Sequence, residues 1–154
     1  MEHSKIVNFK RNYPDKEFPS FRSLDESEVR RIRQCLAAQL GLSTIDPLTL
    51  VTEVDRRQEQ LKGYDAERGN LCLSSILSHL NITPQKHVYL NWYRYDKVDE
   101  MAFADIDAYF DDIWYPGPDD LDIFDSSCNW ILTITHDGFT KFLKWATREE
   151  KGTG

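Results

Sequence analysis

A chain of 154 residues, 40% apolar and 12% aromatic, is long enough to bury one core and too apolar for a disordered polymer. No apolar run approaches the ~20 residues that cross a bilayer, and the leading MEHSKIVNFKRNYPDKEFPS lacks the uninterrupted apolar stretch of a secretory signal. These features predict a soluble, cytoplasmic protein with no membrane partner, in which residues 1–154 form a single globular domain with a polar leading segment (1–22) and a mobile tail (148–154).

In chain order, SLDESEVRRIRQCLAAQLG (23–41) predicts a helix capped by Ser23, with Glu26 completing a capping box and Gly41 ending it. Val29, Ile32, Leu36 and Leu40 form one apolar stripe. Arg30, Arg31 and Arg33 read as its solvated face and not as a nucleic-acid patch, because Glu26 and Glu28 precede them and no aromatic residue interleaves. Asp46 followed by Pro47 predicts a second helix, running through Leu50, Val51, Val54 and Leu61 to Gly63. NLCLSSILSHLN (70–81) predicts a third, with Asn70 and Asn81 as caps.

The period then changes. In HVYLNWYRYD (87–96), Val88, Leu90 and Trp92 alternate with Tyr89, Asn91 and Tyr93, as a strand requires. Phe103, Ile106, Phe110 and Ile113 return to helical spacing and leave Asp105, Asp107, Asp111 and Asp112 on the opposite side. Past Pro116-Gly117-Pro118, the runs DLDIFD, WILTITH and FTKFLKW predict an antiparallel meander, with a two-residue hairpin at Asp137-Gly138. The fold class expected is α+β, with N-terminal helices packed on one face of a small, mainly antiparallel sheet that ends in a C-terminal meander.

Charge is distributed unevenly along this order. Residues 98–140 hold eleven acids and no lysine or arginine, a charge of −11, whereas the remainder holds all 19 basic residues with 15 acids, +4. Such asymmetry bears on association and steering. Its centre is WYPGPDDLDIFD (114–125), in which the acidic run DDLDIFD lacks the central glycine and terminal glutamate of a calcium loop. Cys35, Cys72 and Cys128 show no zinc-ligand spacing with His79, His87 or His136, no phosphate-binding glycine motif occurs, and no cofactor or metal is expected. A pair of these carboxylates could serve a hydrolase, but with so many acids any pair is uninformative. The reading preferred is a partner-binding surface in which Asp111, Asp112, Asp119, Asp120 and Asp122 steer a basic protein while Trp114 and Tyr115 supply anchor area. Two competing roles remain open: Trp114 covering the end of the core, and the acids merely solvating the outer faces.

The run YFDDIWYPGPDDLDIFDSSCNWILTITHDG (109–138) resembles the carboxy-terminal part of small bacterial immunity proteins of polymorphic and contact-dependent toxin systems. The shared features are an aromatic-Asp-Asp-x-Trp-Tyr-Pro element, an Asp-Asp-apolar-x-apolar-Phe-Asp strand and a Trp-x-apolar-x-apolar-x-His-Asp-Gly hairpin. The resemblance is confined to this stretch. It implies a non-catalytic protein that binds a cognate toxin domain and blocks its active site or its contact with substrate. The alternative function is a small intracellular hydrolase or metal-dependent enzyme using the same carboxylates.

Overall fold

The computed structural model describes residues 1–69 and 71–146. The expected tail at 148–154 and the cap at Asn70 lie outside them.

The leading segment is not merely polar. Lys5 and Phe9, four residues apart on helix α1 (His3–Asn12), share one buried face, and strand β1 (Phe21–Ser23) pairs with a later strand. Helix α2 (Glu26–Leu40) starts later than the predicted capping box. Its cap is Asp25, whose carboxylate accepts from the Glu28 amide at 2.8 Å, while the Ser23 hydroxyl donates to Asp99 at 2.7 Å. Gly41 ends α2 at φ 70°, where a side chain would be strained. Helix α3 (Pro47–Arg57) is capped by Asp46 as predicted, through the Thr49 amide at 3.0 Å. It stops short of Leu61. The chain becomes extended at Gln58 and continues as edge strand β2 (Glu59–Asp65), whose register is interrupted between Leu61 and Asp65 around Gly63 at φ 94°.

A single 3-10 turn (Ala66–Arg68) leads toward α4 (Leu73–His79), which has no side-chain cap of its own; Asp107 accepts from the Ser74 amide at 3.1 Å instead. Asn81 follows the helix at φ 56°, a left-handed conformation asparagine tolerates. Strands β3 (His87–Tyr93) and β4 (Lys97–Ala102) form a hairpin. The acidic helix is two pieces, α5 (Phe103–Ala108) and α6 (Phe110–Ile113), broken at Tyr109, yet Ile106, Phe110 and Ile113 are buried as their spacing predicted, while Phe103, the first of that stripe, is only half-buried against the same core. The meander is β5 (Leu121–Phe124), β6 (Trp130–Ile134) and β7 (Phe139–Lys144). Its last turn spans three residues, His136 to Gly138, with only Gly138 at positive φ. That is a type I turn closed by a left-handed glycine, in place of the expected two-residue form.

All pairings in the seven-stranded sheet are antiparallel, in the order β1-β4-β3-β5-β6-β7-β2. The fold is α+β as expected, but of the N-terminal helices α4 and, beside α6, α1 lie on one face of the sheet, and only α2 and α3 on the other. Val29, Ile32, Leu36, Leu50 and Val54 of α2 and α3 pack there on Phe124 and Ile131. The opposite face is covered as well, by Ile76, Ile106, Phe110 and Ile113 of α4, α5 and α6 over Leu90, Ile123 and Leu132. Every residue of β6 is consequently buried, Trp130, Leu132 and Ile134 entering one core and Ile131 the other.

Candidate functional site

The eleven acids of residues 98–140 are mostly consumed by the fold. Asp99, Asp119 and Asp125 are buried. Asp99 pairs with the Met1 amine and accepts from Ser23 and the Trp92 indole; Asp119 pairs with Lys5 and accepts from the Tyr115 amide; Asp125 takes the Trp130 indole and the Gln85 amide, both at 3.1 Å. Compensation for the missing local lysines is therefore long-range or comes from neutral donors. Among the eleven, only Asp111, Asp120 and Asp137 are exposed, the others being buried or half-buried.

The expected partner-binding set divides accordingly. Trp114 is 2% exposed; it stacks on Phe110 with ring centroids 5.7 Å apart and donates from its indole to the Asp119 carbonyl at 3.1 Å. It covers the end of a core, so it is not an exposed anchor. Tyr115 is partly buried, with the Lys5 ammonium 4.0 Å from its ring centroid. Asp112 accepts from the Tyr13 hydroxyl at 3.1 Å, and Asp111 stays at the surface, its carboxyl pushed up by partial burial and then by the charge of Asp112. Asp120 and Asp122 belong elsewhere: both line a cleft on the face of the sheet that carries α2 and α3.

That cleft, about 570 Å³, opens where α3 ends and the sheet runs on uncovered. Gln58, just past α3, donates to the Thr133 hydroxyl at 2.7 Å, and Thr133 in turn donates to Asp122 at 2.5 Å. Asn91 donates to the other Asp122 oxygen at 2.8 Å, while the Asn91 side-chain oxygen accepts from the Tyr95 amide at 2.9 Å. Burial is the main reason the Asp122 carboxyl is pushed up, and the bonds from Thr133 and Asn91 oppose the shift.

The turn between β3 and β4 forms one edge of the cleft. Arg94 and Tyr95 sit at φ 47° and 56°, left-handed values that cost free energy in residues other than glycine or asparagine. Complete burial of Tyr95 and two bonds from Arg33, to the Tyr95 carbonyl at 3.2 Å and to Asp96 at 2.9 Å, hold the turn in place. Its outer residue, Tyr93, is 53% exposed, and Phe139 on β7 is 51% exposed in the same cleft. His136 lies between carboxylates, with Nδ1 3.0 Å from Asp120 and Nε2 3.4 Å from Asp137. Its pKa is raised, first by the hydrogen bond to Asp120 and then by the two charges. Among the described residues no nucleophile completes that group: the Thr133 hydroxyl is already committed to Gln58 and Asp122.

Gln58, Tyr93, Tyr95, Thr133 and Phe139 also line the cleft, and no motif in the sequence marks them as a site. The one legible signal was an apolar residue, Phe139, directly after a turn where polar residues are usual. Among the described residues no three His, Cys, Asp or Glu side chains converge as a metal site, and no helix is long and apolar enough to cross a membrane. Comparison with protein-family models, with curated proteins and with solved structures gives no match in any of the three.

Proposed function

We propose that this chain is a non-catalytic binding protein of the cytoplasm, an immunity-type inhibitor that engages a basic toxin domain. The observation that carries this reading is the cleft, in which two half-exposed aromatic rings, Tyr93 and Phe139, stand among the carboxylates of Asp55, Asp120, Asp122 and Asp137. Exposed rings supply desolvated contact area, and surrounding acids favour a basic partner and discourage acidic ones. The motif resemblance of residues 109–138 supports the same reading and adds the kind of partner. A reducing compartment, with Cys35, Cys72 and Cys128 as thiols, is the setting it implies.

Affinity capture from the source cells tests it. The wild-type chain should retain a basic protein that a Tyr93→Ala, Phe139→Ala double variant of unchanged fold releases. Capture unaffected by the double variant would sink the assignment of the cleft. A hydrolase is the second reading, favoured by the raised Asp122 carboxyl at the cleft floor, since general acids are tuned in this way. Stoichiometric loss of the partner's activity on titration indicates an inhibitor, whereas loss at substoichiometric amounts indicates turnover.

A further inference from the structure

We propose that the cleft seats one organic cation, an alkylammonium or guanidinium group, against Asp122 and the Tyr95 hydroxyl. This deepens the binding reading above and rests on the cleft being the binding face.

Asp122 is a carboxylate held by neutral donors. Its hydrogen bonds among the described residues come from the Asn91 amide and the Thr133 hydroxyl, with the Tyr95 hydroxyl as a weaker third donor, so its charge has no cation in direct contact. The cations that line the cleft are engaged elsewhere: Lys141 with Asp55 at 3.0 Å, Arg94 over the Tyr93 ring at 4.9 Å, and His136 between Asp120 and Asp137. A partly buried carboxylate in this state favours an incoming positive charge more than a solvated one does.

Tyr95 supplies the independent observation. It lines the cleft at 0% exposure, and its buried hydroxyl makes only a weak bond, as donor to Asp122, with no partner at full hydrogen-bond geometry among the described residues. A hydroxyl accepts as well as donates, so a buried one beside a cleft whose oxygen receives no donor leaves a place for an incoming N–H group. An ammonium or guanidinium carries several N–H donors and no acceptor, so a single group can donate to Asp122 and to the Tyr95 oxygen together. The half-exposed rings of Tyr93 and Phe139 add cation–π surface, a use Arg94 already makes of Tyr93. Hard metal ions are a poorer fit, because they need several converging oxygen ligands where this cleft offers aromatic walls.

The cation could belong to a lysine or arginine of a protein partner, or to a free amine. Isotopically labelled full chain is titrated with agmatine and cadaverine, with acetylated tripeptide amides centred on lysine or arginine, and with the norleucine-centred peptide as neutral control. The expected result is saturable one-site binding at about millimolar concentration, with the Asp122 carboxyl and Tyr95 ring resonances shifting together. Asp122→Asn, folded as judged by its melting curve, should bind about tenfold or more weakly. Peptides binding more tightly than free amines assign the cation to a protein partner, and the reverse order assigns it to a small amine. Either order supports the site. Absence of saturable shifts at Asp122 and Tyr95 in the wild-type chain overturns the proposal without recourse to a variant, as does equal binding of the neutral peptide or of Asp122→Asn. If the cations fail but capture of a basic partner still depends on Tyr93 and Phe139, this inference falls and the binding reading stands.

Discussion

Asp119 and Asp120 are neighbours in sequence with opposite roles. Asp119 is 6% exposed and pairs with a lysine that is 1% exposed, whereas the Asp120 side chain is 64% exposed and bonds to the backbone and ring of His136. Removing one member of a buried pair leaves the other charge uncompensated, so Asp119→Ala should cost about 3–5 kcal/mol in chemical denaturation. Asp120→Asn should stay within about 0.5 kcal/mol near neutral pH. Its effect has a definite pH dependence. Asp120 raises the folded-state pKa of His136, so the stabilisation it confers is fully present below the unfolded value of about 6.5 and is lost as pH rises through the folded value. Wild type and Asp120→Asn should therefore differ most in mild acid and converge in alkali, and the His136 resonance should titrate lower in the variant. None of this contrast is legible in the string of aspartates. The partner of Asp119 lies 114 residues away on a helix read as a polar leader, and a local charge count is blind to pairing at that range.

At the scale of elements, periodicity was informative wherever one face of a helix or strand decides burial. The stripe of Ile106, Phe110 and Ile113 is buried as its spacing requires even though the helix breaks at Tyr109. Phe110→Ala, which removes a ring at 2% exposure stacked on Trp114, should cost about 3–5 kcal/mol, read as a lower denaturation midpoint. An unchanged midpoint would contradict this packing. Strand β4 escaped notice because KVDEMA places a carboxylate, Asp99, at a buried position where alternation calls for an apolar residue. That charge is tolerable only because Trp92, Ser23 and the Met1 amine reach it from outside the strand. Apolar spacing predicts helix up to Gly63, across most of edge strand β2, for a related reason. Its side chains are mostly exposed, and its extended form comes from pairing with β7, about which EQLKGYD carries no local signal.

For the whole molecule, the α+β class and the C-terminal meander followed from runs of residues, whereas the assignment of helices to faces did not. An apolar stripe requires a partner surface without saying which side of a sheet provides it. The site was the least legible feature. Asp120 and Asp122 were singled out, but the cleft around them takes Gln58 after α3, the turn after β3, and residues of β6 and β7, brought together only by the sheet order. The five other residues expected to bind a partner serve mainly the α1, α5 and α6 side of the molecule or its core, so the charge asymmetry of the sequence overstates the acidity of any one surface. The central claim is that a basic partner docks on this cleft. Hydrogen exchange of the chain free and bound to its captured partner tests it most directly. Protection should appear in the turn at residues 93–96, at the end of α3 and across residues 135–141. Protection confined to α5 and α6, around Asp111 and Asp112, with the cleft unchanged would contradict it.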